Sequence, residues 1–101
     1  MSAERWIPIR YRDFHDIPRT FVIEDSGELL LFDCPFDDEA GDYSVSYVVI
    51  RLAPSANAVV DQPSWTDLSK LGSVIGHVPA ADVRFDPTKR VAVSAEVLGS
   101  Y

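Results

Sequence analysis

The sequence predicts a β-rich α+β fold. We expect a mostly antiparallel sheet of about five to seven strands, curled into a small barrel or half-barrel and covered by one short helix near residues 64–71. Three observations lead to this prediction. Apolar and polar residues alternate with period two through most of the chain, turn residues separate short runs, and little sequence is left for parallel crossovers. The length of 101 residues matches a single domain, 1–101.

The N-terminal strands are predicted from alternation and turn chemistry. Residues 6–12 alternate, and Pro8 indicates an edge strand or a break because proline cannot donate to a strand ladder. A loop is predicted at 15–18. Residues 20–24 and 28–34 then predict a hairpin around Asp25-Ser26-Gly27, which suits a type I turn closed by a left-handed glycine.

The next two strands differ in how much of them is predicted to be buried. Residues 29–32 are apolar on both faces, which is typical of a central strand. Residues 43–52 form the longest strand candidate, and its polar half lies at its start. We therefore expect this strand to enter the core from solvent.

The second half of the chain has weaker patterns. We expect a loop over 53–63, with a short strand at 58–60, and a helix that begins at Ser64 and ends before Gly72. Residues 74–78 are expected to form either a strand or an extended connector. Residues 83–85 and 91–93 flank a Pro-containing turn and predict a second hairpin.

The charge of the chain is concentrated in one segment. Residues 20–50 hold no Lys or Arg and eight acids, namely Glu24, Asp25, Glu28, Asp33, Asp37, Asp38, Glu39 and Asp42. The other residues hold eight acids and nine bases, so −8 and +1 give the net charge of −7. Such a field repels phosphates and anionic lipid, so we expect neither a nucleic acid nor a membrane as partner, whereas it attracts basic proteins and hard cations.

The densest part of this segment, 33–43, is the leading functional candidate. Aromatic side chains within an acidic rim combine a hydrophobic anchor with electrostatic steering. The sequence thus suggests a small acidic interaction module, of a regulatory or toxin-neutralising type, that binds a basic protein and is not an enzyme. The predicted partner-binding residues are Phe36, Asp37, Asp38, Glu39, Asp42 and Tyr43. Phe36 and Tyr43 have an alternative role, which is to attach the loop to the core.

Two other functions are compatible with the residues. Asp33, Asp37, Glu39 and Asp42 supply oxygen ligands for a divalent cation, in a binding protein or a small cation-dependent enzyme, although the order of an EF-hand loop is absent. A weaker alternative is an apolar ligand cavity inside the barrel, lined by Phe21, Ile23, Leu31 and Val49.

The remaining chemistry-bearing residues carry weaker signals. Cys34 is expected to be a packed residue at a strand end, and His15 and His77 lack the spacing of a zinc site. No phosphate-binding or nucleophile motif occurs, so no cofactor is predicted. The start of the chain has no apolar core of a secretory signal, and we expect a cytoplasmic protein.

The basic residues form two groups outside the acidic segment. Arg5, Arg10, Arg12 and Arg19 are expected to neutralise part of segment 20–50 across the sheet. A second group of basic residues is expected either to do the same or to meet the acidic loop of another copy, which would make a homo-oligomer. This group consists of Arg84, Lys89 and Arg90.

Overall fold

The structure is a computed structural model that describes residues 5–99 and 101. Its strands are β1 (Trp6–Pro8), β2 (Arg10–His15), β3 (Ile17–Asp25), β4 (Glu28–Asp33), β5 (Phe36–Asp37), β6 (Asp42–Tyr43), β7 (Ser46–Leu52), β8 (Gly72–Pro79) and β9 (Ala92–Ser94). One short α-helix, α1 (Asn57–Val60), and 3-10 helices at Pro54–Ala56, Leu68–Leu71, Ala80–Asp82 and Ala95–Gly99 complete the described part. No helix within these residues is long and apolar enough to cross a bilayer.

The main sheet is an antiparallel meander in the order β2-β3-β4-β7-β8. The small ribbon β5-β6 is inserted between β4 and β7, and β1 pairs with β9 in a separate ribbon. The β-rich, antiparallel prediction is confirmed, and so is the central position of the apolar run 29–32, since β4 is the middle strand. The sheet is not closed into a barrel, because the edge strands β2 and β8 do not pair with each other, and the half-barrel alternative stays a prediction.

The sheet stays open because both of its faces are covered by other parts of the chain. Alternate residues of β3 and β4 enter two separate cores, with Phe21 and Phe32 on one face and Val22 and Leu31 on the other. The ribbon β1-β9 and the last 3-10 helix cover the first face, while segment 53–71 covers the second. With apolar surface buried on each face, closure is not needed to remove it from water.

The first two turns differ in detail from the prediction. The expected loop at 15–18 is a tight turn, in which Asp16 alone connects β2 to β3 with a φ of 64°. The β3-β4 loop contains two residues, because Asp25 pairs with Glu28. Ser26 and Gly27 both have positive φ, as a type I′ turn requires, and this replaces the predicted type I turn.

The prediction of a helix near residues 64–71 is wrong in helix type and in length. Only Leu68–Leu71 is helical, as a 3-10 turn, and the α-helix is α1 at Asn57–Val60, where the sequence predicted a loop and a short strand. The buried Trp65 donates its indole N–H to the carbonyl of Val60 at 3.1 Å, which holds it against α1. Tertiary packing thus overrides a local pattern that is too short to nucleate a helix alone.

The predicted second hairpin forms only in part. The turn closes with a hydrogen bond from the amide of Lys89 to the carbonyl of Asp86 at 2.8 Å. Residues 83–85, however, contribute a single bridge between Phe85 and Val93, and β9 pairs with β1 instead.

Candidate functional site

The predicted binding loop is a structured hairpin. Phe36 pairs with Tyr43 and Asp37 with Asp42, so that residues 38–41 form its tip. The Asp37 carboxylate accepts hydrogen bonds from the backbone amides of Glu39 at 3.0 Å and Ala40 at 3.3 Å. Gly41 donates its amide N–H to the carbonyl of Asp37. Its φ of 68° is a backbone conformation that favours glycine. We call residues 36–43 the acidic hairpin.

The root of the acidic hairpin is attached to the main sheet through Cys34. This side chain is 1% exposed, and its thiol donates to the carbonyl of Ser44 at 3.0 Å. The Ser44 amide donates in turn to the carbonyl of Pro35 at 2.7 Å, and the Cys34 amide to that of Arg19. Cys34 is therefore the packed residue at a strand end that the sequence predicts.

Tyr43 fixes the acidic hairpin to the end of the β2-β3 hairpin. Its ring stacks on His15 at a centroid distance of 5.3 Å, and the guanidinium of Arg19 lies 4.6 Å from its centre. Its hydroxyl donates to the carboxylate of Asp13 at 3.2 Å. Desolvation and this hydrogen bond raise the pKa of the Tyr43 hydroxyl. Tyr43 therefore has the structural role that the sequence left as an alternative.

Phe36 is the aromatic side chain that the acidic hairpin presents to solvent. Its ring meets Tyr43 edge-on, with a centroid distance of 5.2 Å and an interplanar angle of 89°, while 52% of the residue is exposed. Because Tyr43 is held by three neighbours, it supports one side of the Phe36 ring. The exposed Phe36 ring therefore rests against a Tyr43 side chain that is itself held in place.

The acidic hairpin that carries this ring also carries the four predicted carboxylates. Asp37, Asp38, Glu39 and Asp42 are all exposed. Asp37 and Asp42 accept hydrogen bonds from amides of their own hairpin. Within residues 5–99 and 101, no Lys or Arg forms an ion pair with any of the four.

The structure does not bring the proposed cation ligands together. No group of three or more His, Cys, Asp or Glu side chains in the described part of the chain is arranged to hold a metal ion. Asp33 lines a cavity with Leu31 and Trp65, and the three other proposed ligands are not among the residues that line it. The residues proposed to line an apolar cavity are also separated, since Leu31 lies in a different core from Phe21, Ile23 and Val49.

The N-terminal arginines neutralise the acidic segment only in part. Arg5 lies 4.0 Å from Asp25, but Arg10 pairs with Asp61 at 3.0 Å, outside the segment. Arg12 bonds to backbone carbonyls of Gln62 and Pro63. Arg51 also pairs with Glu28 at 3.3 Å, and the other six acids of residues 20–50 form no ion pair with a described Lys or Arg.

Sequence reasoning missed the support that β2 and β3 give to the acidic hairpin. Asp13, His15 and Arg19 contact Tyr43, which lies 24 to 30 positions further along the chain. No local pattern encodes such a contact. Comparisons with family models, with curated proteins and with solved structures find no match to this chain, so its own geometry carries the functional argument.

Proposed function

We propose that this chain is a small acidic interaction module of the cytoplasm that binds a basic protein through the acidic hairpin, in a regulatory or toxin-neutralising role. One observation carries the proposal. Phe36 is half exposed and contacts Tyr43 on one side, and the same hairpin carries four exposed carboxylates that no described Lys or Arg pairs with.

The carboxylates and the ring have different tasks in this proposal. Unpaired carboxylates attract a basic surface over about a Debye length, roughly 8–10 Å at physiological salt, and raise the association rate. Phe36 loses its remaining exposure when the partner covers it, and buried aromatic rings dominate binding energy at interfaces. A structured hairpin also loses little conformational entropy on binding, because its backbone is already ordered.

The test compares two variants of equal charge. Asp37→Asn, Asp38→Asn and Glu39→Gln together neutralise the hairpin tip, and the Asn at position 37 keeps an oxygen for the two backbone amides. The matched control changes three exposed acids elsewhere, Asp61, Asp67 and Asp82, to Asn. Each bait is used to capture proteins from the native lysate, and captured proteins are eluted with a salt gradient and identified.

We expect the wild type and the control to retain the same basic protein, and the tip variant to bind it roughly tenfold more weakly, since exposed charge pairs contribute about 0.2–1 kcal/mol each. Phe36→Ala should weaken binding further, by about 2 kcal/mol or more, without a change in salt dependence. Equal retention by tip variant and control, or retention that salt does not affect, would contradict the proposal. Capture of the chain itself would assign the partner surface to a second copy that carries Arg84, Lys89 and Arg90.

A further inference from the structure

A polar cavity lies on the face of the main sheet that segment 53–71 covers. Its volume is about 360 Å³, and it opens between strands β2 to β4 and residues 63–69. Leu31, Trp65 and Leu68 give it an apolar floor, whereas Asp33 and several hydroxyl groups line its walls. This volume is within the range of small-ligand sites, about 300–1,000 Å³.

The polar wall is built by strand register. Arg12 pairs with Thr20 and Thr20 pairs with Asp33, so the three residues form one row across adjacent strands. Directly opposed residues share a face of the sheet, with Cα atoms of neighbours about 4.5–5.5 Å apart. The row therefore places a cation, a hydroxyl group and a carboxylate side by side, although they are far apart in the sequence.

The guanidinium of Arg12 is engaged within the protein. It donates to the carbonyls of Tyr11 at 2.8 Å, Gln62 at 2.7 Å and Pro63 at 3.1 Å. Its central carbon lies 4.5 Å from the centre of the Trp65 ring. Arg12 thus holds residues 62–65 over the sheet and forms one fixed, positively charged wall of the cavity.

Asp33 is the polar group of the cavity that lacks a counter-ion. One carboxylate oxygen accepts the Thr20 hydroxyl at 3.2 Å, and within residues 5–99 and 101 no cationic side chain pairs with it. Burial and the nearby carboxylate of Asp13 raise the pKa of Asp33, against the opposite effect of the Thr20 hydrogen bond. A half-buried carboxylate is costly to keep ionised without a partner, and a bound cation offsets that cost.

We propose that this cavity binds a ligand that carries a single ammonium group, with Asp33 as its counter-ion. Thr20 holds the carboxylate in position, and the hydroxyl of Ser69, which lines the same cavity, accepts a second ammonium proton. The apolar floor takes the alkyl chain. Arg12 disfavours ligands with a second positive charge near that wall. The ammonium group belongs to a free small amine or to a lysine side chain of a protein, and this proposal does not depend on the role of the acidic hairpin.

The test is a titration of the full chain, followed by two-dimensional NMR of its backbone amides and the Trp65 indole N–H. The probes are n-butylammonium chloride, the neutral alcohol 1-pentanol, and N-acetyl-lysine N-methylamide. We expect butylammonium to shift the amide signals of residues 64–69 and the indole signal of Trp65 until the shifts saturate. With 1-pentanol we expect no saturating shift of these signals. Asp33→Asn should weaken binding roughly tenfold, because the amide oxygen of Asn still accepts a hydrogen bond but carries no charge to pair with the ammonium group.

Asp61→Asn is the matched control, since Asp61 is exposed and lies outside the cavity. It should bind butylammonium like the wild type. The amide spectrum of Asp33→Asn without ligand shows whether that variant is folded, and Thr20→Val, which removes only the hydroxyl that positions Asp33, gives a second variant with a smaller expected loss.

The outcomes separate the two sources of the ammonium group. Tighter binding of the lysine derivative than of butylammonium assigns the cavity to a protein side chain, and the reverse assigns it to a free amine. Saturable shifts of equal size with 1-pentanol, unchanged binding in Asp33→Asn, or no saturable shift with either amine would overturn the proposal.

Discussion

At the scale of single residues, Asp86 organises the turn before β9. One carboxylate oxygen accepts the hydroxyl and the amide of Thr88, and the other accepts the amides of Val91 and Ala92 at 3.1 Å each. The Thr88 hydroxyl and these backbone amides lower the pKa of Asp86 from 3.8 to about 2, although desolvation acts in the opposite direction. A single ionised side chain therefore closes a turn in which Lys89 has a φ of 58°.

We expect Asp86→Asn to lower the Tm at pH 7 and to change how the Tm depends on pH. The folded-state pKa lies below the unfolded value, so the contribution of Asp86 is complete above about pH 4 and is lost as the pH falls towards about 2. Asn presents an N–H₂ group where Asp86 has its second acceptor, and it does not titrate. Thermal unfolding from pH 7 to pH 2 measures both effects.

Asp82→Asn is the control for this pH series, because Asp82 is an exposed acid of the preceding 3-10 helix. Its Tm should follow the wild-type curve. Parallel curves for Asp86→Asn and the wild type between pH 4 and pH 2 would show that the hydrogen bonds of Asp86 do not stabilise the fold.

At the scale of elements, the junction of segment 53–71 with β8 depends on close backbone approach. Gly72 is extended, follows the 3-10 helix Leu68–Leu71 directly and pairs with Leu52 at the end of β7. A Cβ atom at this position would overlap the carbonyl of Arg51 and press on the side chain of Ile50 at 2.9 Å. Since the obstacle is mostly backbone, rotation of a side chain cannot remove it.

We predict that Gly72→Ala destabilises the protein by about 1–3 kcal/mol, as overpacking does when the backbone must move. Gly99→Ala is the matched control, because a Cβ there meets no atom within 4 Å. Its effect should stay within about 0.5 kcal/mol. Urea unfolding of both variants measures the difference, and equal stabilities would show that the β7-β8 junction adapts without cost.

At the scale of the whole molecule, the central strand couples the two cores. Leu30 and Phe32 of β4 enter the core shared with the ribbon β1-β9, while Leu31 enters the core beneath segment 53–71. Phe32 also stacks on its strand neighbour Phe21, with centroids 4.8 Å apart. Both covering layers pack against the same five-stranded sheet. We therefore expect the two layers to unfold together.

Leu31→Ala tests this coupling. Truncation of this buried side chain should cost about 2–5 kcal/mol. In a Trp6→Phe background, Trp65 fluorescence reports the layer over Leu31, and far-UV circular dichroism reports the sheet. Both signals should shift to the same lower Tm. A fluorescence transition that shifts alone would show that segment 53–71 unfolds as a separate unit.

The same comparison of scales explains how far the candidate site could be predicted. The exposure of its carboxylates follows from local charge and turn residues, and the structure agrees. The exposure of Phe36 and the structural role of Tyr43 could not be told apart from the sequence, because they depend on contacts of Tyr43 with Asp13 and His15 on another hairpin. Asp33 belongs to the same acidic run, but it is the last residue of β4 and its side chain lines the cavity.

The sequence by itself determined the strands whose two faces are chemically distinct or uniformly apolar. The runs 20–24, 29–32 and 43–52 were predicted as strands because strand periodicity is local and repeats every two residues, although the last strand begins only at Ser46. Tertiary structure decided the rest. The sheet is open and not closed into a barrel, the α-helix lies at Asn57–Val60 and not at 64–71, and β9 pairs with β1. These outcomes depend on which apolar surfaces cover one another, and short segments adopt whatever backbone that packing requires.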